Sequence, residues 1–384
     1  MSSSVSAVNL TPAGVRHQWA TRAAFFIAGF SISSWAPLIP FAKGRLNLDD
    51  GHLGALLLCL GAGSVTGMPA AGALAGRFGC RAMIVLSALM ILCMLPVLAT
   101  AGHVVVLAGA LLLFGAGLGT LDVTMNIHAV LVERESGRSM MSGFHGMYSV
   151  GGIAGAGLMS LLMSAGLLPL HAILASCAIG VILLGVSYTS LLSHGSDSDS
   201  PGFAFPHGYV LLIGCFCFVM FLAEGSVLDW SAEYLHKFRD VEKAHAGVAY
   251  VAFSIAMTTC RLLGDRIVPV IGSRLIVFGG ALTAAGGFVL ATTVHVPVVT
   301  VIGFALVGIG ASNVVPVLFS AVGRQTRTPA NVAIAGVTTM GYAGILAGPA
   351  GVGFIARYFG LSVGLGVIAA MLAAVALVST RVRV

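Results

Sequence analysis

The chain has 384 residues, of which 58% are hydrophobic and only 8% are charged, whereas about 25% of the residues of a soluble protein are charged. This composition excludes a soluble globular protein. The apolar residues fall in blocks of about 20, the length of a helix that spans a bilayer. A net charge of +6 would suggest nucleic acid as a partner of a soluble chain. Here the positive-inside rule accounts for the charge, and we predict an all-α membrane protein without a nucleic-acid partner.

In chain order, the predicted elements are twelve transmembrane helices. They lie at residues 18–41, 52–75, 82–101, 104–132, 139–166, 169–191, 208–235, 244–265, 274–293, 297–322, 329–356 and 360–380. The first is too long for the apolar core of a signal peptide. A long segment rich in Ser, Asp, Gly and Pro separates the sixth helix from the seventh. We therefore predict an N-terminal six-helix bundle at 1–192, a cytoplasmic linker at 193–207 and a C-terminal six-helix bundle at 208–384.

The basic residues are distributed unevenly between the two sides of the predicted membrane. With the N-terminus inside, thirteen arginines fall on the cytoplasmic side and six basic residues on the other. This asymmetry predicts that both termini are cytoplasmic. We expect a multi-pass protein of the bacterial cytoplasmic (inner) membrane.

An internal repeat relates the two halves of the chain. Three short motifs recur at one offset of 193 residues: His52-x-Gly54 as His245-x-Gly247, Gly79-x-Arg81 as Gly272-x-Arg274, and Gly115-x-Gly117 as Gly308-x-Gly310. Tyr148 and Tyr342, each before a glycine-rich run, differ by 194. Parallel repeats of six helices, related by an axis along the membrane normal, place a substrate between the halves at mid-depth.

The junction between the second and third helices carries a loop motif. It reads Gly72-ALAGRF-Gly79-C-Arg81, and its weaker copy reads Gly264-Asp265-Arg266-IVPVI-Gly272-S-Arg274. On these residues the chain resembles the major facilitator superfamily over essentially its whole length. The resemblance implies twelve helices in two pseudo-symmetric bundles. Gly76 stands where the first copy of the family motif usually has an acid, which argues against the family's usual charge relay at this loop.

Within that superfamily, three further stretches resemble the MosC-like branch, which includes a rhizopine-transport protein and is similar to the fucose-permease type. The stretches are Phe144-His145-Gly146, residues 148–152 and Glu224-GSVLD-Trp230-SAEY. The resemblance implies a sugar- or cyclitol-like substrate that moves together with protons.

Polar side chains interrupt two apolar runs on either side of a charged turn at residues 133–138. Asp122 and Asn126 are four residues apart and share one helical face, and His145 and Ser149 do the same on the next helix. Because the two helices are antiparallel, we expect these pairs to form a cluster. Ionisable groups within a membrane are costly and by default mark a pathway or a site.

Asp122 is the leading candidate for proton coupling, because few basic residues are available at its depth. The structural alternative is a carboxylate paired with a basic loop residue or a helix end. His145 is either a packing histidine or, in contact with Asp122, a proton relay. Asn126 is a candidate hydrogen-bonding partner of the acid or of the substrate. We predict His128 to be a packing residue.

The seventh helix supplies the second candidate for proton coupling, Glu224. Asp229, five residues further on, faces another way on an ideal helix, so one of the two is structural or the helix is broken near a site. Trp35 and Trp230 occupy comparable positions in the first and seventh helices. They belong to an aromatic belt or stack on a substrate. We predict Asp229 and both tryptophans as substrate contacts.

Four further residues are predicted to contact the substrate. Asn313 lies beside Pro316, which should kink the tenth helix. Thr338 and Tyr342 are four residues apart and share a face of the eleventh helix, and Tyr148 is the counterpart of Tyr342 in the repeat.

Charged residues near the cytoplasmic ends are predicted to have gating or structural roles. Arg261 and Asp265, four residues apart, are expected to form a salt bridge that closes the inner gate. Arg77, Arg81 and Arg266 belong to the loop motif, and arginines there are expected to contact helix ends.

These features together predict a secondary active transporter that couples proton movement to a small polar solute. Its partners would be that solute, protons and the lipid bilayer, and we expect a monomer. The alternative is a drug or metabolite exporter of the same fold. An intramembrane enzyme is not expected, because the sequence contains no HExxH motif. A sensor is not expected either, because the polar segments are too short for a soluble output domain. Six of the seven cysteines lie in apolar runs, so no metal or other cofactor is predicted.

Overall fold

A computed structural model of the chain describes residues 12–195, 206–242 and 245–381, and every regular element within them is a helix. The first half of the chain forms α1 (Pro12–Trp35), α2 (Ile39–Arg45), α3 (Asp50–Thr100), α4 (Val104–Ser136), α5 (Met141–Ser164) and α6 (Pro169–Ser187). The second half forms α7 (Gly208–Arg239), α8 (Val248–Ile271), α9 (Ser273–Thr293), α10 (Pro297–Ala311), α11 (Val314–Arg324), α12 (Ala330–Phe359) and α13 (Leu361–Ser379). Most of the predicted linker, residues 196–205, lies outside the described residues.

These helices make the twelve predicted crossings. A short 3-10 turn joins α1 to α2 within the first crossing, and α3 makes two crossings that meet at Gly79, whose φ of 82° interrupts the helix. The tenth crossing consists of α10 and α11. Ten helical segments are long and apolar enough to span a membrane, and one of them contains both crossings of α3. The remaining crossing, α8, carries three charged residues.

The internal repeat extends to the packing between helices. Gly151 of α5 faces the carbonyl oxygen of Phe26 in α1, and Gly344 of α12 faces that of Phe218 in α7. The two glycines are 193 residues apart. At both positions a β-carbon would overlap the facing carbonyl oxygen, so glycine allows the two backbones to approach closely.

Two arginines cap helix ends in the same symmetric way. Arg45 donates to the carbonyl oxygens of Leu98, Ala99 and Ala101 at the end of α3, at 3.0, 2.6 and 2.8 Å. Arg239 donates to those of Ala291 and Thr292 at the end of α9, at 2.9 and 3.3 Å. The last carbonyl groups of a helix have no partner within it, and arginine supplies that partner in both halves.

We call the end of the bundle that carries the start of α1 and the connection from α6 to α7 the terminal end. Among the described residues, three hydrogen bonds join the two halves, and all lie between this end and mid-depth. The side-chain amide of Asn331 donates to the Gly72 carbonyl oxygen, and the backbone amide of Gly143 donates to the Asp265 carboxylate. The Arg261 guanidinium donates to the Ser149 hydroxyl. In this conformation the two halves are joined at the terminal end.

Candidate functional site

A proline in α11 positions the central arginine. Pro316 has no amide hydrogen, so the carbonyl of Ser312, four residues earlier, has no helical partner. The tenth crossing breaks there, between Ala311 and Val314, which confirms the predicted kink. Arg261 Nε donates to the Ser312 carbonyl oxygen at 3.3 Å. The break in the helix thus supplies an acceptor that orients the Arg261 side chain.

The guanidinium group of Arg261 connects both halves at mid-depth. Its Nη2 donates to Glu224 Oε1 of α7 at 3.0 Å, and its Nη1 donates to Ser149 Oγ of α5 at 3.2 Å. The side chains of Arg261 and Glu224 are only 7% and 16% exposed. A buried ion pair needs such additional hydrogen bonds to offset the cost of removing both charges from water.

The predicted salt bridge between Arg261 and Asp265 is therefore wrong. The expected end of the eighth helix was residue 265, but α8 continues to Ile271. Arg261 lies ten residues before that end, which corresponds to roughly 15 Å along the helix axis. At this depth its partner is Glu224 rather than a residue of the gate.

Asp265 instead accepts a hydrogen bond at the start of α5. The Gly143 amide donates to Asp265 Oδ1 at 2.9 Å, across the boundary between the halves. Within the first half, Glu133 Oε2 accepts from the amides of Met140 and Met141 at 2.8 and 2.9 Å. The partial positive charge of the helix start is thus balanced by one carboxylate from each half. Asp265 thus has a partner in the other half instead of Arg261, and its gating role stays a prediction.

Asp122 lies near the middle of α4 and is partly buried. The Asn126 amide donates to the Asp122 carbonyl oxygen at 2.8 Å and to its carboxylate at 3.4 Å. None of the salt bridges among the described residues includes Asp122. Asn126 Oδ1 is buried without a hydrogen-bond partner. The acid and the amide thus form a polar pair without a salt bridge to any described residue.

Asp122 and the ion pair lie near the same tyrosine, Tyr148. Tyr148 of α5 interacts electrostatically with Asp122, Arg261 and Glu224, and Tyr342 of α12 interacts with Asp122 and Tyr148. Four predicted residues, Asp122, Tyr148, Glu224 and Tyr342, therefore lie near one another together with Arg261 of α8. We call these five side chains the central cluster.

His145 does not hydrogen-bond to Asp122. Its ring lies between Phe25 of α1 and Phe319 of α11, with centroid distances of 5.2 and 5.8 Å, and its Nε2 is buried without a partner. The two phenylalanines belong to different halves. His145 thus packs where the halves meet, and the structure provides no direct relay to Asp122.

Three other predicted substrate contacts, Trp35, Asp229 and Trp230, have separate surroundings. Glu224 faces α8 while Asp229 is exposed, as the predicted difference in direction requires. The indole nitrogens of Trp35 and Trp230 are buried without a hydrogen-bond partner. The Trp230 ring lies against Gly353 of α12. Both tryptophans lie further from the terminal end than Glu224 does.

Two other predicted contacts lie in helix packing near the cluster. Asn313 donates to the Cys260 carbonyl oxygen at 3.1 Å, and its amide oxygen lies against Gly264. Thr338 of α12 is fully buried, and its hydroxyl has no hydrogen-bond partner. These contacts hold Asn313 between helices of the second half.

The arginines of the loop motif have separate surroundings. Arg81 donates to the carbonyl oxygen of Leu191, after α6, at 2.9 and 2.6 Å, which confirms the expected contact with a helix end. Arg77 lies over the Phe78 ring, and Arg266 is exposed. His128 is a packing residue as predicted, because Thr21 and the Leu192 amide contact its two ring nitrogens.

Sequence reasoning missed the central role of Arg261 and the capping role of Glu133. The first has a recognisable signal, since Pro316 leaves the carbonyl of Ser312 without a helical partner and thereby marks a place for a donor. The second follows from its position in the charged turn before α5, where a carboxylate near a helix start is favourable.

Twelve membrane-crossing helices in two repeated halves, joined around buried charged groups, define a membrane transporter. The family model of the Major Facilitator Superfamily matches residues 23–349, and the chain belongs to this family. It is 52% identical over 364 residues to an uncharacterized MFS-type transporter of Yersinia pestis, covering 94% of this chain and 95% of that protein. It is 32% identical over 348 residues to the membrane protein MosC of Rhizobium meliloti, covering 88% and 83%.

Solved structures share the fold. The crystal structure of FucP in its outward conformation superposes with a TM-score of 0.83 at 16% identity, over 97% of this chain and 100% of that one. The human organic anion transporter MFSD10 superposes with a TM-score of 0.76 at 15% identity, over 96% and 100%. The predicted superfamily and the likeness to MosC are confirmed. The relatives and the fold are those of transporters rather than enzymes.

Proposed function

We propose that the protein is a proton-coupled secondary active transporter that moves a small sugar- or cyclitol-like solute. The two bodies that rock are residues 1–192 and 208–384, connected by a linker at 193–207. It works as a monomer in the bacterial inner membrane, with both termini cytoplasmic. The terminal end is then the cytoplasmic end, and the conformation described above is closed to the cytoplasm.

The observation that carries this proposal is the carboxylate of Asp122, which lies at mid-depth and forms no salt bridge with the residues that the structure describes. A carboxylate inside a membrane protein is costly to keep charged, so its ionisation responds to whether water and a substrate reach it. Asp122 is the leading proton acceptor because its charge is not already compensated.

Glu224 is the second proton acceptor. Arg261 contacts Glu224 within its own half and Ser149 in the other. Protonation of Glu224 would remove the charge that holds Arg261, and with it a bond between the halves. Binding of a proton here is thereby coupled to opening at the terminal end. His145, packed between the halves, would sense the same opening.

A hydroxyl-rich solute suits the groups around the cluster. Tyr148, Tyr342 and Asn126 offer polar groups near Asp122. Asp229, Asn313 and Thr338, and the two indoles of Trp35 and Trp230, extend this set. FucP, which has the same fold, is the fucose:proton symporter of E. coli. This likeness supports the proposal of a sugar-like solute and of proton coupling.

The test is uptake into proteoliposomes with an imposed pH gradient, screened over sugars, cyclitols and amino sugars. Asp122→Asn should abolish proton-driven accumulation but leave exchange of the solute across the membrane measurable. The exposed Asp240→Asn is the matched control, and it should accumulate normally. If accumulation survives Asp122→Asn, coupling does not depend on this residue.

A sodium gradient in place of the pH gradient tests the coupling ion in the same vesicles. Accumulation driven by sodium alone would refute proton coupling. No uptake, together with lowered sensitivity of cells to toxic compounds, would instead indicate the exporter.

A further inference from the structure

The charged residues at the terminal end suggest a second binding site, outside the central cluster. A cavity of about 480 Å³ lies there between the two halves. Its first-half wall is the end of α4 and the turn to α5, and its second-half wall comes from α8, the start of α9 and α11. The volume falls within the range of about 300–1,000 Å³ of small-ligand pockets.

Three arginines line this cavity: Arg134, Arg138 and Arg324. No hydrogen bond or salt bridge connects their guanidinium groups to another described residue. The acidic residue of the lining is Glu133, whose carboxylate accepts from the start of α5. Ser139, Ser273 and Ser320 also line the cavity. The cavity therefore has an excess of positive charge and free hydrogen-bond donors.

We propose that this cavity is a regulatory site for a phosphate group, which binds between Arg134 and Arg138 of the first half and Arg324 of the second. A phosphate monoester carries about −1.5 to −2 charges near neutral pH and several acceptor oxygens. The planar guanidinium group matches these oxygens with paired donors. The same chemistry is present in soluble organic phosphates and in the headgroups of anionic lipids.

The position of the site predicts its effect on the transport cycle. The two arginines of the first half and the one of the second repel each other when the terminal end is closed. A bound phosphate replaces this repulsion by bonds to both halves. A ligand shifts an equilibrium towards the state that it binds better. Phosphate therefore favours the state closed at the terminal end and slows turnover at saturating concentration.

Binding is tested first in detergent solution by calorimetric titration with inorganic phosphate and with glucose 6-phosphate. Arg138→Gln and Arg324→Gln should each weaken binding by about tenfold, since each removes a charge-assisted hydrogen bond. The matched control is Arg327→Gln, because Arg327 is exposed at the same end but does not line this cavity. It should bind phosphate as the parent does.

The conformational effect is tested with spin labels on either side of the cavity, at Glu135→Cys and Thr326→Cys, in a background without native cysteines. Both positions are exposed and outside the lining. Glucose 6-phosphate should increase the population with the short distance between labels. This shift should disappear in Arg324→Gln and persist in Arg327→Gln.

The source of the phosphate is separated in nanodiscs. The label distances are compared in phosphatidylcholine alone, with soluble phosphate added, and with phosphatidic acid mixed into the bilayer. A shift with phosphatidic acid alone assigns the site to a lipid headgroup, and a shift with the soluble ligand assigns it to a metabolite. Both outcomes support the site.

Three results would overturn the proposal: no response to either source, binding that is unchanged in Arg138→Gln and Arg324→Gln, or equal weakening in Arg327→Gln, which would mean diffuse surface charge. Its failure would leave the proposed transport function intact, because the assays do not involve the transported solute or Asp122.

Discussion

The two contacts that join the halves at the terminal end are related by the repeat but differ in chemistry. Between α5 and α8, the Asp265 carboxylate accepts from the Gly143 amide. Between α3 and α12, the residue 193 positions before Asp265 is Gly72, whose backbone carbonyl oxygen accepts from the side-chain amide of Asn331 at 3.1 Å. One contact thus depends on charge at a helix start, and the other on close approach of two backbones.

The central cluster shows the same difference. At the repeat offset, Asp122 corresponds to Val315, Glu224 to Ser31 and Arg261 to Met68. None of the three charged groups has a charged counterpart. The glycine contacts and the arginine caps, in contrast, occur in both halves. The repeat preserves how helices pack, while each charged group of the central cluster occurs in one half only.

The largest effect that sharpens this comparison is expected at Arg261. Arg261→Met places the residue of the symmetric position there and leaves the Glu224 carboxylate buried without its partner, which should cost about 3–5 kcal/mol of stability. The measurement is thermal unfolding of the purified protein in detergent. The double variant Arg261→Met/Glu224→Gln should recover most of the loss, because no uncompensated charge remains.

The control for this experiment is Met68→Leu at the symmetric position, where a volume-conserving change should cost less than about 1.5 kcal/mol. If Arg261→Met alone unfolds no earlier than the parent, the ion pair is not a stabilising contact in the membrane protein.

The glycine contacts should respond equally in both halves. Gly151→Ala and Gly344→Ala each place a methyl group against a carbonyl oxygen, and overpacking of this kind costs about 1–3 kcal/mol. Gly157→Ala in α5 is the matched control, because no atom of another helix lies within 4 Å of its β-carbon position. Unequal losses of stability in Gly151→Ala and Gly344→Ala would show that the two contacts, although alike in geometry, contribute differently to stability.

Much of this fold follows from the sequence because the bilayer imposes helix length and apolar composition. Helix α8 is an exception, because its end differs from the predicted one. Charged residues and Pro269 near the predicted end resemble a helix terminus, whereas the helix continues to Ile271. Within it, Arg261 and Asp265 have partners on other helices, and such tertiary contacts cannot be read from a linear pattern.

The candidate site was predictable in part for the same reason. Asp122, Glu224, Tyr148 and Tyr342 stand out as polar groups in apolar runs, and the structure brings them together. The partner of Glu224 was not predictable from spacing along one helix, because it depends on which helices are neighbours. Their roles in binding and coupling stay predictions until transport is measured.

The arginine caps provide a graded test of the symmetry. Arg239 is 6% exposed and donates to the carbonyl oxygens of Phe238, Ala291 and Thr292 and to the hydroxyls of Thr300 and Tyr234, whereas Arg45 is exposed. Arg239→Gln should cost about 1–3 kcal/mol, as expected for buried bonds to a charged group. Arg45→Gln should cost less than about 1 kcal/mol, because water replaces part of its bonding. Thermal unfolding in detergent measures both losses of stability. A larger loss in Arg45→Gln than in Arg239→Gln would show that burial does not determine the strength of these caps.

The smallest effect is expected at the two contacts that opened the comparison. Asp265→Asn removes a charge from the start of α5 and should destabilise the state closed at the terminal end by about 0.3–1 kcal/mol, a roughly twofold to fivefold shift in population. Asn331→Ala removes a hydrogen bond between neutral groups and should have an effect of similar size, about 0.5–1.5 kcal/mol.

The two variants are distinguished by salt, which screens partly exposed charges. The effect of Asp265→Asn on distances between spin labels across the terminal end should shrink as ionic strength rises, while that of Asn331→Ala should not. If both respond alike to salt, the chemical difference between these two related contacts has no energetic consequence, and the halves are joined by shape alone.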